Sequence, residues 1–372
     1  MPAPAMVAGR FWETGGGRVV ESGAAGMNLE DSDHANHPAL VPAAEQMARI
    51  AGIKATADLV LNARIDVHIR GGDTDAALIR AALEPHDVLL SIGGWGAGNF
   101  SEAALTDAAR ARFADTAVEL VRRHDLDGLD IDWEYPAHPG PGISHRPEDK
   151  QNFTQLLTVL REKLDALSAT NSGRRYLLTI AAADGEAAKG LEIAKIARIL
   201  DWINLMTYDF YGSLTPTTGH HAALYRSRTA APDSRNTQQA VDEFIKAGAP
   251  ASKINIGLAF YGRTFGDVTV DHHGLHQRFG SDGGFISWQE IARDHLGKPG
   301  VVRYWDEQAQ SAWLWNEKQR RLISYDDPQA LQAKARFVRQ RGLGGVMYWE
   351  HAQDPDEQLL DVVRTALHPA KP

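Results

Sequence analysis

The sequence predicts an α/β protein: an eight-stranded β/α (TIM) barrel with a small α+β insertion after its seventh strand. Three observations predict it. Short apolar runs alternate with amphipathic helical stretches, the pattern of a parallel sheet whose strands are joined by crossover helices. About eight such runs are present, the number a closed β/α barrel needs. Residues 264–326 show poor helical periodicity over a span too long for a structureless loop, so they are expected to form a small fold of their own. At 372 residues the chain has room for one barrel with an insertion or for two ordinary domains. The expected organisation is residues 1–86 as β/α units supplying the first two strands, 87–372 as strands three to eight, and 264–326 as the insertion.

The predicted strands are 26–30, 59–67, 88–93, 128–133, 177–182, 202–208, 254–260 and 345–349, with a further apolar run at 6–12 left over. Helices are expected at 42–57 and 75–83 around the second strand. The third strand runs Val88-Leu89-Leu90-Ser91-Ile92-Gly93-Gly94, and its glycines permit close backbone approach to the acidic strand that follows. Residues 137–144 form a Pro/Gly-rich loop. From 147 to about 167, Phe153, Leu156, Leu157, Leu160 and Leu164 fall at helical spacing and mark a scaffold helix. The sixth strand closes on Met206-Thr207-Tyr208-Asp209, and the seventh continues into Tyr261-Gly262-Arg263. Asp327 reads as an N-cap with Pro328 at the first helical position. The eighth strand ends in Tyr348-Trp349-Glu350.

The fourth strand, Asp127-Gly128-Leu129-Asp130-Ile131-Asp132-Trp133-Glu134-Tyr135-Pro136, carries the chemistry. Side chains of a strand alternate, so Asp130, Asp132 and Glu134 share one face while Leu129, Ile131 and Trp133 share the other and call for a helix layer. Burying unpaired charge costs several kcal/mol or forces the group to keep its proton. That is a way to hold a carboxylic acid protonated, which a glycosidic bond needs at its leaving oxygen. Glu134, at the C-terminal end of the run, is the candidate donor. An acidic edge strand facing solvent is the alternative, although acids suit strands poorly.

This run resembles the D-x-x-D-x-D-x-E signature of glycoside hydrolase family 18, the chitinases, through the following Trp133, Tyr135 and Pro136. The resemblance continues from residue 87 to about 367: the Ser-x-Gly-Gly of the third strand, the Met-x-Tyr-Asp of the sixth, the Tyr-Gly-Arg of the seventh and Trp349 of the eighth. It implies hydrolysis of β-1,4-linked N-acetylglucosamine polymers with retention, assisted by the substrate. Glu134 would protonate the leaving oxygen, Asp132 would orient the acetamido group, Asp130 would tune Asp132, and Tyr208 would hold the acetamido oxygen in line. Trp95, Tyr135, Asp209, Arg263 and Trp349 would bind sugar, with core packing as the plainer reading of Trp95. No metal or organic cofactor is implied. The segment 264–326 matches in place and length the insertion that walls one side of the cleft in some chitinases.

Residues 17–83 resemble another family, the phosphoenolpyruvate mutases and isocitrate lyases, on the strands Gly26-Met27-Asn28-Leu29-Glu30-Asp31 and Asn62-Ala63-Arg64-Ile65-Asp66. The chain is therefore expected to be a chimera of two barrel families. Glu30 and Asp66 would be magnesium ligands on that resemblance, or simply parts of borrowed strands completing the barrel. The first two strands, on which chitinases usually carry a Tyr and a Phe near the catalytic subsite, are expected to be replaced here, with Gly9-Arg10-Phe11 at most a relic of the first. A chitin-binding protein without turnover, a magnesium-dependent lyase and a recombined barrel scaffold are the competing functions.

Composition bounds the rest. Hydrophobic residues at 43%, with 34 Gly and 17 Pro, are those of a soluble globular protein. A net charge of −9 argues against nucleic acid or an anionic membrane as partner and leaves a neutral chitooligosaccharide acceptable; a monomer is expected. The absence of Cys excludes disulfides, a thiol nucleophile and Cys-ligated metals. Asp271, His272, His273 and His276 suggest a metal but lack a second ligand group, so a solvated loop is the expectation. The Asp31-Ser32-Asp33 stretch lacks the Gly and terminal Glu of a calcium loop. Met1 to Met6 offers no basic region or apolar stretch of a leader, which fits a cytoplasmic chain or a mature or engineered form of an exported one; the compartment stays open.

Overall fold

The structure is a computed structural model that describes residues 13–14, 18–19, 65–67 and 87–369. The strand expected at 26–30, the run at 6–12, the helices at 42–57 and 75–83, Glu30 and the Asp31-Ser32-Asp33 stretch lie outside them. The chain divides into two compact units, 1–203 and 204–372.

In the first unit Glu13–Thr14 (β1) and Arg18–Val19 (β2) pair antiparallel. Four further strands run parallel in chain order: Ile65–Val67 (β3), Val88–Gly93 (β4), Gly128–Asp132 (β5) and Leu177–Ala182 (β6). Every residue of β4 and β5 is buried, as expected of parallel strands covered on both faces. Helices Phe100–Leu105 (α1) and Asp107–Arg123 (α2) follow β4, and Asp149–Thr170 (α3) follows β5. Thr106 starts α2 by accepting the Ala109 N–H, and Arg122 and Arg123 sit in its last turn, where the dipole favours cations.

The helix layer that Trp133 meets is α1 and α3. Trp133 stacks on Phe100 at 5.4 Å between centroids and meets Phe153 edge-on at 5.3 Å. Leu156, Leu157, Leu160 and Leu164 of α3 are fully buried, each worth about 1.5–3 kcal/mol relative to exposure. After β6 come Gly185–Ala188 (α4), Ile193–Ile199 (α5) and the strand Trp202–Leu205 (β7), which straddles the division.

The sixth predicted strand thus stops at Leu205 instead of continuing to 208. The Thr207 amide turns back to the Leu205 carbonyl at 2.8 Å, and the Thr207 hydroxyl accepts from the Gly257 amide and donates to its carbonyl, both at 2.9 Å. A side chain therefore takes over the ladder's bonds.

In the second unit helix Thr237–Lys246 (α6) precedes Ile254–Ala259 (β8), and β8 pairs parallel with Gly345–Trp349 (β14). Between them lies an antiparallel sheet of Tyr261–Gly266 (β9), Ser281–Ser287 (β10), Val302–Asp306 (β11), Ser311–Asn316 (β12) and Arg321–Tyr325 (β13), in the order β10-β9-β13-β12-β11. Tyr211, Phe265, Val268, Leu275, Trp313, Trp315 and Leu322 form its core. The helical part of this segment is small: Trp288–Glu290 (α7), opened by a Ser287–Glu290 capping box, and a π-turn at Ile291–His295.

Pro328–Arg341 (α8) begins as the sequence predicts, with Asp327 accepting the Ala330 N–H at 2.9 Å, and ends at Gly342 in the left-handed region. Gln358–Leu367 (α9) packs against it. Under α8 the Lys334 ammonium is wholly buried in an ion pair with Asp326, whose carboxylate also accepts the Ala259 N–H at 3.3 Å.

Candidate active site

The acids of the fourth predicted strand differ in what surrounds them. Asp127, at its start, accepts the Val88 N–H at 2.7 Å and pairs with Arg174, so it staples β5 to β4. Asp130 is buried and stands in register with Ser91 on one neighbour and Thr179 on the other. Both hydroxyls donate to it, Ser91 to Oδ2 at 2.9 Å and Thr179 to Oδ1 at 2.5 Å. Accepting on both oxygens is what a carboxylate does.

Asp132, the last residue of β5, is also buried, and its carbonyl accepts the Gly94 N–H at 2.7 Å. Gly93 has φ 126°, and a Cβ there would lie 2.1 Å from that carbonyl oxygen. Only glycine allows this approach. Glu134 follows the strand's end, 4% exposed. The next residue, Tyr135, meets Trp95 edge-on at 6.3 Å and His138 at 5.9 Å. Trp95 is 46% exposed and so is not a core residue.

The loop expected at 137–144 is fixed by Asp149, a fully buried carboxylate in the first turn of α3. It accepts from the Ser101 hydroxyl at 2.6 Å, the Arg146 N–H at 2.7 Å and the Ala137 N–H at 3.4 Å. The first unit therefore presents three buried acids in a row, with an exposed indole beside the last. Such an array can hold and deliver a proton.

The second unit carries the other predicted residues. Gly257 leaves room for the Tyr208 ring, since a Cβ there would lie 2.6 Å from it. The Tyr208 hydroxyl reaches the Met347 Sδ at 3.7 Å, and Tyr208 and Trp349 pack on the buried group of Ala222, Ala259 and Tyr261. Asp209 adopts φ 58° and accepts from the Arg263 Nε at 2.8 Å. Burial pushes its carboxyl up, but His221 and Arg263 outweigh that and hold it at about 2. The Arg263 guanidinium lies over the Phe285 ring at 3.7 Å.

Sequence reasoning named neither Thr179 nor His221. Thr179 is signalled only by strand register, which sets it beside Asp130. His221, fully buried next to Asp209, has no periodic signal at all. Of the suggested metal residues, His273 stacks on Tyr304 at 4.2 Å and His276 lies against Tyr211 and His220. Among the described residues no group of three or more His, Cys, Asp or Glu is arranged to hold a metal ion, and no helix is long and apolar enough to cross a membrane.

The family model for glycosyl hydrolases family 18 matches residues 74–354. The chain belongs to this family. A second model, phosphoenolpyruvate phosphomutase, matches residues 16–83, the stretch bearing the Gly26 to Asp31 and Asn62 to Asp66 motifs. The family 18 chain is 39% identical over 295 residues to Chitinase A1 of Niallia circulans, covering 75% of this chain and 42% of that protein. It is 37% identical over 285 residues to Endochitinase 1 of Metarhizium robertsii, covering 74% and 64%. The chain thus spans 42% and 64% of the length of these two curated relatives. A solved glycoside hydrolase family 18 N-acetylglucosaminidase from Paenibacillus barengoltzii superimposes with TM-score 0.77 at 37% identity, over 87% of this chain and 95% of that one. The fold is accordingly the family's α/β barrel, with a β-sheet insertion after β8.

Proposed function

We propose that this family 18 chain hydrolyses β-1,4-linked N-acetylglucosamine polymers with retention, using Glu134 as general acid and base. The observation that carries the reading is Glu134, buried just past the end of the strand that holds Asp130 and Asp132. Glu134 gives its proton to the leaving glycosidic oxygen. In many retaining enzymes a second carboxylate about 5 Å away then attacks the anomeric carbon. Neighbours on one face of one strand do not straddle a sugar, so the substrate's own acetamido oxygen forms that bond and an oxazolinium ion results. Water opens the ion, leaving its proton on Glu134, and two displacements give retention.

Asp132 orients the acetamido N–H, and Asp130, gripped by Ser91 and Thr179, steadies Asp132. Tyr208 holds the acetamido oxygen, while Trp95, Tyr135, Asp209, Arg263 and Trp349 bind sugar; these roles rest on the motifs in which the residues stand. The step uses no metal or organic cofactor. We infer a chitin or chitooligosaccharide partner and a monomeric chain.

The test is hydrolysis of a chromogenic chitobiose or chitotriose glycoside by the protein and by Glu134→Gln. The variant is expected to stay folded, bind oligosaccharide and lose on the order of 10²–10⁴-fold in turnover, and the first product to form is expected to be the β-anomer by NMR. Equal turnover in both proteins would reject the mechanism. A folded wild type that binds the oligosaccharide without cleaving it would make the chain a binding protein.

A further inference from the structure

We propose that His221 is a positioning residue that holds the Asp209 carboxylate, and with it the Tyr208-Asp209 corner, in its working orientation. The proposal deepens the chitin-hydrolase reading and relies on it only for the kinetic readout.

His221 is fully buried, with its ring 5.2 Å from that of Tyr261 and its Nδ1 3.6 Å from the Asp209 Oδ1. That oxygen is also the one bonded to the Arg263 Nε at 2.8 Å, so the imidazole packs against a carboxylate oxygen that Arg263 already anchors. The backbone of His221 is secured separately. Its carbonyl accepts the Phe210 N–H at 2.9 Å, and its own N–H donates to the Ser324 Oγ at 2.9 Å. The first of these bonds closes the turn that Asp209 makes in the left-handed region, φ 58°, which Asp and Asn adopt more often than other residues with a Cβ. The turn is thus held by the backbone of residue 221, and the side chain is left a distinct task.

The charged and titratable groups around the ring are Asp209, Asp326, Arg263 and Tyr261. Burial pushes the His221 imidazole down, against the pull of the two carboxylates. The ring is therefore neutral, with Nδ1 the nitrogen nearest the Asp209 carboxylate.

Two variants separate the ring from its polar nitrogen. His221→Asn sets an amide where Nδ1 stands and removes the ring; His221→Phe keeps a ring against Tyr261 and removes the polar nitrogen that faces Asp209. We expect His221→Phe to lose roughly tenfold or more in kcat with KM little changed, and His221→Asn to retain most of it, at equal melting temperatures. The Asp209 carboxyl, followed by 13C NMR, should stay ionised to about 2 in the wild type and in His221→Asn. In His221→Phe it should titrate nearer the ordinary value of about 3.9. Equal kcat and equal Asp209 titration in the two variants would overturn the proposal, as would losses that track a lowered melting temperature. Should the wild type prove as inert as Glu134→Gln, the chitin-hydrolase reading falls while the Asp209 titration still decides the role of His221.

Discussion

Thr179→Val tests how the acidic strand is held. Thr179 is fully buried in β6, opposite Asp130, and its hydroxyl donates to Oδ1 at 2.5 Å. Valine keeps the shape and replaces the donor by a methyl group. A hydrogen bond to a charged group contributes about 1.5–3 kcal/mol, and a buried acceptor that loses its donor carries a penalty of similar size. With Ser91 still bonded to Oδ2 at 2.9 Å, the expected loss of unfolding free energy is about 2 kcal/mol. In a chain larger than about 150–250 residues that amounts to a fall of a few degrees in melting temperature.

The rate should fall further than the stability suggests, because a misplacement of about 1 Å at a reacting group costs on the order of a hundredfold. Urea unfolding, melting temperature and chitobioside turnover are to be measured for Thr179→Val, for Thr179→Ser, which restores the hydroxyl, and for Thr116→Val. Thr116 bonds only its own helix, donating to the Arg112 carbonyl on the surface, and its variant should behave as wild type. A Thr179→Val protein within about 0.5 kcal/mol of wild type, the range of neutral surface changes, and equally active would refute the two-hydroxyl grip.

Two further outcomes follow from buried charge. Lys334→Met leaves the Asp326 carboxylate buried without its ion-pair partner and should cost about 3–5 kcal/mol, whereas the double change with Asp326→Leu should recover much of it; urea midpoints decide, and equal losses would contradict the pairing. His276 is held down at about 4 by burial first and by His220 second. The unfolded chain takes up its proton near about 6.5 and the folded one only at lower pH, so stability falls as pH drops through that window, with no further loss below about 4. The urea midpoint of His276→Gln should therefore drop less than that of the wild type between the two ends of the window, and identical slopes would count against the shift.

Much of this was legible in the sequence, and the remainder is missing for identifiable reasons. The spans of β4, β6 and β14 are read directly from apolar runs, and the alternation in the acidic strand separates the apolar face, whose Trp133 packs on α1 and α3, from the three acids. Gly93 is legible as a close approach, although only the fold shows that the approach is to the Asp132 carbonyl. By contrast the pairing of Ser91 and Thr179 with Asp130 depends on the register of strands 39 and 49 residues apart, which no single-strand pattern encodes. The early end of β7 comes from one threonine hydroxyl taking the place of ladder bonds, a choice that β-propensity does not weigh. His221 lies in an irregular stretch between Gly219 and Ala222, where a histidine carries no signal of burial.

Along the acidic strand the duty of each carboxylate follows from how much of the sheet surrounds it. Asp127 enters at the N-terminal end, where β4 begins, and its oxygens are taken by the Val88 amide and Arg174, so it can only hold the two strands together. Asp130 sits mid-strand with a neighbour on each side, both offering hydroxyls. Its carboxylate is fixed laterally and cannot turn toward a substrate without breaking both bonds. Asp132 is the last residue in the ladder and is paired on one side with Gly93, whose missing Cβ lets the two backbones approach at the Asp132 carbonyl. Glu134 lies beyond the ladder and next to Tyr135, whose ring meets the exposed Trp95, at the end of a parallel strand where barrels bind their ligands. Spacing of two residues puts the acids on one face, but it is the progressive loss of sheet neighbours toward the C-terminal end that separates structural acids from chemical ones. That ordering, more than the count of acids, is why we propose Glu134 and not Asp130 as the proton donor.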